Sequence, residues 1–310
     1  MLLIKSRVVS RLLDVPNDRS LHVRPVPRIG GAGMLAGVFA GWLVAGWQIE
    51  WWIWLPLLIL FAVSLLDDLF SLPVRQRMIV HVLAAGLLVW GSGLSANQGI
   101  LAGVIILFAI IWMTNLFNFM DGSNGLAGGM AMIGFGVFGI AAWQAGSDTM
   151  AWLNFCIVAA SLVFLFFNFQ PARVFMGDAG SIPLGFLVAA FSLAGWQQQI
   201  WPVWFPLLVF GPFIVDATVT LLRRTLRGVK ITEAHREHYY QRLIQGGMSH
   251  QRLALAEYGL MLAMGVSALM FVQKAMPWML IMAWAIVLAG LMLLIDIKWK
   301  RHLRRQNAQA

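Results

Sequence analysis

Apolar runs of membrane-spanning length, separated by short polar clusters, make up most of this chain. A spanning helix needs about 20 mostly apolar residues. With that ruler, runs at 30–48, 51–66, 78–94, 99–118, 125–145, 149–168, 182–196, 201–221, 253–272 and 277–295 predict about ten spans. The expected fold is all-α: a polytopic transmembrane helix bundle forming one integral-membrane domain over residues 1–310. A basic loop at 222–252 and a basic tail at 296–310 are its extramembrane parts.

Composition agrees with that pattern and narrows the class. Hydrophobic residues are 60% of the 310, charged residues only 11%, and mean hydropathy is +0.78. Soluble chains carry roughly 25% charged residues, so a soluble enzyme and a disordered chain are excluded. A net charge of +9 would ordinarily point to nucleic acid. Alternating the spans across the bilayer, however, puts 21 of the 22 Lys and Arg residues on one face, leaving only Lys274 on the other. Positive charge accumulates in cytoplasmic loops, so both termini are expected in the cytoplasm and nucleic acid is not an expected partner. The single cysteine, Cys156, excludes a disulfide framework and argues against a zinc cluster. No cleavable signal is visible in Met1–Leu13.

Acidic residues inside a bilayer are costly and mark function. Asp67, Asp68, Asp121, Asp178, Glu233 and Glu237 all fall on the basic face, and only Glu50 and Asp148 fall opposite. Four polar clusters therefore open on one side of the membrane. SLLDDLF ends the second span with adjacent carboxylates, Asp67 and Asp68; ionised together they call for a cation or a basic partner. Solvated residues at a helix end are the other reading. NLFNFMDGSNGLAGG sets Asn118 and Asp121 three apart, adds the amide of Asn124, and contains four glycines that let backbone approach a ligand. The same DG and NG pairs are also ordinary turn dipeptides.

FNFQPARVFMGDAGSIPLGF puts Asp178 in a turn before a helix, where backbone amides and Ser181 could meet phosphate and the carboxylate could hold Mg²⁺. A helix cap is the alternative for Asp178. Phe175 could stack on a base or anchor in the membrane. RRTLRGVKITEAHREHYYQRLIQGGMSHQR spaces His235 and His238 three apart with Arg236 and Arg242, setting cationic groups against an anionic substrate. A loop resting on anionic membrane lipids is the alternative. Asp216 either joins this site or pairs with Arg223, and His81 reads as a satisfied core residue.

The segments LDVPNDRSLHVRPVPRIGG, LLDD, NFMDGSNGLAGG, VFMGDAGS and AHREHYYQRL, in that order and on one face, resemble the polyprenyl-phosphate N-acetylhexosamine-1-phosphate transferases of glycosyltransferase family 4. The resemblance runs from about Leu13 to Tyr258 and is nearest to the undecaprenyl-phosphate sugar-1-phosphate transferases that begin O-antigen and related surface glycans. It implies transfer of an N-acetylamino-sugar 1-phosphate from a UDP-sugar to undecaprenyl phosphate, with release of UMP, at the cytoplasmic face of the bacterial inner membrane. Mg²⁺, or Mn²⁺ in its place, is the implied cofactor; a homodimer is left open.

By the same resemblance, Asp178 is a metal ligand with Asn118 as a second, and Asp67 and Asp68 are the catalytic pair. Asp121 lies near the diphosphate, Asn124, Asn168 and Phe175 fall at uridine-recognition positions, and His235 and His238, flanking Arg236, contact sugar and diphosphate. Three departures stand out. Many members carry DGxDG where this chain has Asn124, and HREHYYQRL lacks the triple histidine of the phospho-N-acetylmuramoyl-pentapeptide transferase of cell-wall synthesis, which favours a surface-glycan substrate. About a dozen residues precede the DVPNDRS segment, where the family usually has a further transmembrane helix. A membrane transporter with a cytoplasmic acidic site is the rival from another class, and it would require polar groups spread through the bilayer depth.

Overall fold

A computed structural model describes residues 12–15, 25–230, 235–274 and 276–307. Most of the DVPNDRS segment (16–24) and Glu233 lie outside the described residues. The chain enters through a two-residue antiparallel pair, β1 (Leu13–Asp14) with β2 (Val26–Pro27). Helices follow as α1 (Gly30–Val44), α2 (Trp51–Phe70), α3 (Val74–Gly91), α4 (Leu94–Gln98), α5 (Ile100–Phe119), α6 (Leu126–Gln144), α7 (Asp148–Asn168) and α8 (Asp178–Gln197). The order continues with α9 (Trp204–Val209), α10 (Gly211–Leu226), α11 (Tyr239–Gln245), α12 (His250–Phe271) and α13 (Trp278–Asn307).

Seven of these, α2, α5, α6, α7, α8, α12 and α13, are long and apolar enough to cross a membrane, and the chain is a multi-pass membrane protein. The first expected span is a 15-residue apolar helix. The eighth, expected unbroken over 201–221, is two helices that meet at Phe210–Gly211. Pro212 stands in the first turn of α10, where its missing N–H leaves no bond unmade but cannot extend α9. Residues 296–307 of the expected basic tail continue α13 as helix.

Helix boundaries decide where the polar clusters lie. α2 carries Asp67 and Asp68 in its last turn and stops at Ser71, which has a left-handed backbone, with Pro73 opening α3. α8 begins at Asp178, so that residue belongs to the first helical turn and not to a preceding loop. Burial ranks the helices: 83% of the apolar window of α8 and 78% of that of α6 lie inside the bundle, against 6% for α13. α8 is thus the central helix, with α1, α2 and α5 packed around it. α1 and α8 meet so closely that a Cβ on Gly31 would overlap the backbone of Gly180, and Gly31 N–H donates to the Met176 carbonyl at 2.9 Å.

That contact gives a stability prediction. Gly31→Val forces α1 away from α8 and should cost about 1–3 kcal/mol, as overpacking does. Thermal unfolding in detergent checks it; an unchanged Tm would contradict the close approach.

Candidate functional site

The site is assembled around the N-terminus of α8. The first N–H groups of a helix have no partner within the helix, and here they are buried. Asp68 supplies the partner: its two carboxylate oxygens accept from Asp178 N–H at 3.1 Å and Ala179 N–H at 2.9 Å. Gly177 makes this approach possible. It has φ +71, and a Cβ there would sit 2.7 Å from Asp68 Oδ2.

Asp67, its neighbour, faces other partners. Its carboxylate accepts from Leu72 N–H at 2.6 Å and from Arg77 Nη1 at 2.7 Å. The same Arg77 nitrogen reaches Asp178 Oδ2 at 3.1 Å. The cation that the adjacent carboxylates require is therefore present in part as Arg77, which the sequence offered only as a topology-marking charge. A second guanidinium, Arg28, lies within electrostatic reach of Asp68, and its buried Nε has no hydrogen-bond partner.

The loop after α5 brings the next group. Ser181 Oγ donates to Asn118 Oδ1 at 3.3 Å, which joins the end of α5 to the first turn of α8. Asp121 sits in the loop beyond. Its carboxylate has no hydrogen-bond or ion-pair partner among the described residues, and burial, then the nearby charges of Asp178, Asp68 and Asp14, push its pKa well above the usual carboxylate range.

Asn124 and Asn168 occupy different settings. Asn124 Nδ2 donates to Gln170 Oε1 at 3.2 Å at the exposed rim. Asn168 is buried, accepting from Gly125 N–H at 2.8 Å and donating to the Val174 carbonyl at 2.8 Å. In this structure its amide ties the Gly125 turn to the segment leading to α8. Phe175 is half-buried in that segment, its backbone bonded to Pro27 O and Gly30 N–H at 2.9 Å each. Tyr258 OH donates to Gly125 O at 2.6 Å, and Ser123 Oγ meets His250 Nδ1 at 2.9 Å.

The histidine segment docks onto the end of α5. Asp216, from α10, accepts from the backbone N–H groups of Tyr239 at 2.9 Å and Tyr240 at 3.0 Å, and lies 3.2 Å from His238 Nδ1. His238 stacks between Phe119 and Tyr240, and Tyr240 OH donates to Phe119 O at 3.0 Å. His235 lies beside it, ring centroids 4.9 Å apart. Asp216 thus holds the histidine segment and does not pair with Arg223, whose partner is Asp296 at 2.7 Å.

Two further expectations need correction. Burial, followed by the neighbouring His238 and Arg224, lowers the pKa of His235 to about 4, so it is neutral at pH 7 and is not one of the expected cations. His81 is buried as expected, but its Nδ1 has no hydrogen-bond partner. Arg236 is half-buried with an unpartnered Nε, while Arg224 and Arg227 both pair with Glu237. Arg236, like Arg28, retains a buried donor that no side chain satisfies.

No three His, Cys, Asp or Glu side chains among the described residues converge as a metal cage. A hard cation such as Mg²⁺ binds through one or two carboxylates and completes its shell with water and substrate phosphates. Asp178, Asp121 and Asn118 supply oxygen donors of that kind around the start of α8.

Residues 51–196, which run from the start of α2 to the end of α8, match the model of glycosyl transferase family 4. A Bacillus subtilis protein described as a probable undecaprenyl-phosphate N-acetylglucosaminyl 1-phosphate transferase is 29% identical over 86% of this chain and 79% of its own length. An undecaprenyl-phosphate alpha-N-acetylglucosaminyl 1-phosphate transferase of Yersinia pestis is 28% identical over 78% and 72%. A decaprenyl-phosphate N-acetylglucosaminephosphotransferase of Mycolicibacterium smegmatis is 29% identical over 91% and 81%. The matched segment contains the aspartate pair, the Asn118–Asn124 loop and nearly the whole of the helix they surround, and over it the chain is similar to glycosyl transferase family 4.

Proposed function

We propose that this protein transfers an N-acetylamino-sugar 1-phosphate from a UDP-sugar to undecaprenyl phosphate, releasing UMP. The observation that carries the reading is the convergence, at one end of the bundle, of the start of α8, the carboxylates of Asp178 and Asp121, and the guanidinium of Arg28 with its unpartnered Nε. Phosphoryl transfer is chiefly positioning and charge neutralisation, and these groups suit both. The names of the relatives make N-acetylglucosamine the first sugar to test. They do not favour the muramoyl-pentapeptide reaction of cell-wall synthesis.

In the proposed reaction, an oxygen of the lipid phosphate attacks the sugar-bearing phosphorus of the donor, and the bond to the uridylyl oxygen breaks, so that UMP leaves. Asp178 and Asp121, with Asn118, would hold Mg²⁺, which when bound offsets diphosphate charge against the carboxylates. Arg28 and Arg236 would donate to phosphate oxygens. Asn124, at the rim, would bond the uracil edge, and Phe175 would stack on it. Neutral His235 would act as a hydrogen-bond partner for the sugar or diphosphate. Asp68 has a positioning task, since its carboxylate holds the first turn of α8. Asp67 orients Arg77 toward Asp178.

We also assign ten crossings, counting the short α1, the less apolar α3 and the α9–α10 pair. Both termini and the site then face the cytoplasm of a bacterial inner membrane, as the 21 basic residues on one side support. Surface-polysaccharide synthesis, as in O antigen, is the pathway we infer. A transporter is the weaker reading because the polar groups gather at one end of the helices.

Purified protein given undecaprenyl phosphate, Mg²⁺ and a panel of UDP-N-acetyl sugars should release UMP only when the lipid is present. If no donor yields lipid-dependent UMP from folded protein, the proposal fails. Asp178, which begins α8, and Asp68, which caps it from α2, should separate by role. Asp178→Asn should lower turnover by about two orders of magnitude with little change in Tm. Asp68→Asn, with one amide oxygen in place of two carboxylate oxygens, should also lose about 0.5–2 kcal/mol of stability, as lost helix caps do. Near-normal turnover in Asp178→Asn, or an unchanged Tm in Asp68→Asn, would refute the corresponding role.

A further inference from the structure

The second feature of note lies at the far end of α13. The first part of this helix is strongly apolar and hardly buried, so it faces lipid. Its apolar run ends near Ile295, where Asp296, Lys298, Lys300 and Arg301 begin. This is the depth at which a spanning helix meets phospholipid headgroups.

At that depth a cavity of about 280 Å³ opens between α11, the Gly246–Met248 turn, the start of α12 and α13. Arg242, Arg252, Lys298 and His302 line it together with Ile295 and Trp299, and no acidic residue lines it. Arg252 and Lys298 form no ion pair among the described residues. Arg242 is held in place by Asp296 at 2.9 Å and lies over the Tyr239 ring at 5.0 Å. Trp299 stacks on His302 with centroids 5.4 Å apart, and an indole at this level is a usual interfacial anchor.

Two cationic side chains without an ion pair among the described residues, Arg252 and Lys298, stand beside Arg242, whose charge Asp296 already opposes, in a hollow next to a lipid-facing helix, and they match the phosphate of an anionic lipid. We propose that this cavity binds the headgroup of an anionic phospholipid such as phosphatidylglycerol. Arg242, Arg252 and Lys298 hold the phosphate, and the acyl chains run along the apolar face of α13. The cavity is at the lower limit of ligand-pocket volumes, which suits a phosphoglycerol head better than a nucleotide sugar. None of its lining residues belongs to the proposed catalytic site. Through Arg242 and Tyr239 the bound phosphate would brace the segment that carries His238.

Full-length wild type and an Arg252→Gln/Lys298→Gln variant, both delipidated in neutral detergent, test this. Phosphatidylglycerol should raise the wild-type Tm by ~3 °C or more, and the variant by less than half as much. Native mass spectrometry should show the matching loss of bound phosphatidylglycerol. Phosphatidylcholine, inorganic phosphate at matched ionic strength, and undecaprenyl phosphate should not reproduce the difference. Basal UMP release in neutral detergent should stay within about twofold, since neither side chain lies in the proposed catalytic site. If the double variant proves unfolded, the exposed Lys298→Gln alone carries the same comparison. Equal phosphatidylglycerol shifts in wild type and variant, or a difference reproduced by free phosphate, would overturn the proposal.

Discussion

The buried N-terminus of α8 is the constraint on which the rest of this structure depends. Its free N–H groups lie inside a bundle, where no bulk water can satisfy them. Asp68 answers that need from the last turn of α2, which fixes α2 against α8 and points Asp67 toward Arg77. Gly177 keeps the capping carboxylate close, and the backbone bonds of Gly30 and Gly31 to Phe175 and Met176 hold the approach to the helix on its other side. A demand for hydrogen-bond satisfaction thus places the end of α2 and the start of α1 around one helix end.

Charge balance then decides what such a place can hold. Asp67, Asp68, Asp121 and Asp178 gather near two guanidinium groups, those of Arg28 and Arg77, and Asp121 responds with a strongly raised pKa. Such an arrangement is unfavourable alone and suited to a ligand that brings positive charge. A diphosphate accompanied by a divalent cation would meet both sides: Asp178, Asp121 and Asn118 would hold the cation, which would offset the carboxylate charge, and the free arginine donors would take phosphate oxygens. In the proposed reaction, the apolar α2 and α5 leading up to this point would let a lipid phosphate arrive with its tail still beside the helices.

Much of this was legible in the sequence because membrane helices follow a simple rule of length and polarity. The paired aspartates, the Asn118–Asn124 loop and the GDAGS turn stood out as acidic and amide groups at the ends of apolar runs. Their partners were less visible. Arg77 looked like one more basic residue near a helix start, and its bridge from Asp67 to Asp178 depends on how α2 turns into α3. For Asp216 the sequence allows either the site or Arg223, and its hold on the histidine segment depends on where the chain returns after a stretch that begins beyond α10. Neutral His235 could not be read from spacing, because burial and neighbouring positive charge set its state. The break at Phe210–Gly211 was signalled by Pro206 and Pro212, but hydropathy alone runs smoothly through it.

A cryo-electron microscopy structure of the protein with UDP-N-acetylglucosamine and Mg²⁺ tests the central claim most directly. The account predicts diphosphate density against the first turn of α8, between Asp178 and Asp121, with the uracil toward Asn124 and phosphate oxygens within hydrogen-bond distance of Arg28 or Arg236. Nucleotide bound elsewhere, or a first turn of α8 facing away from the diphosphate, would contradict it.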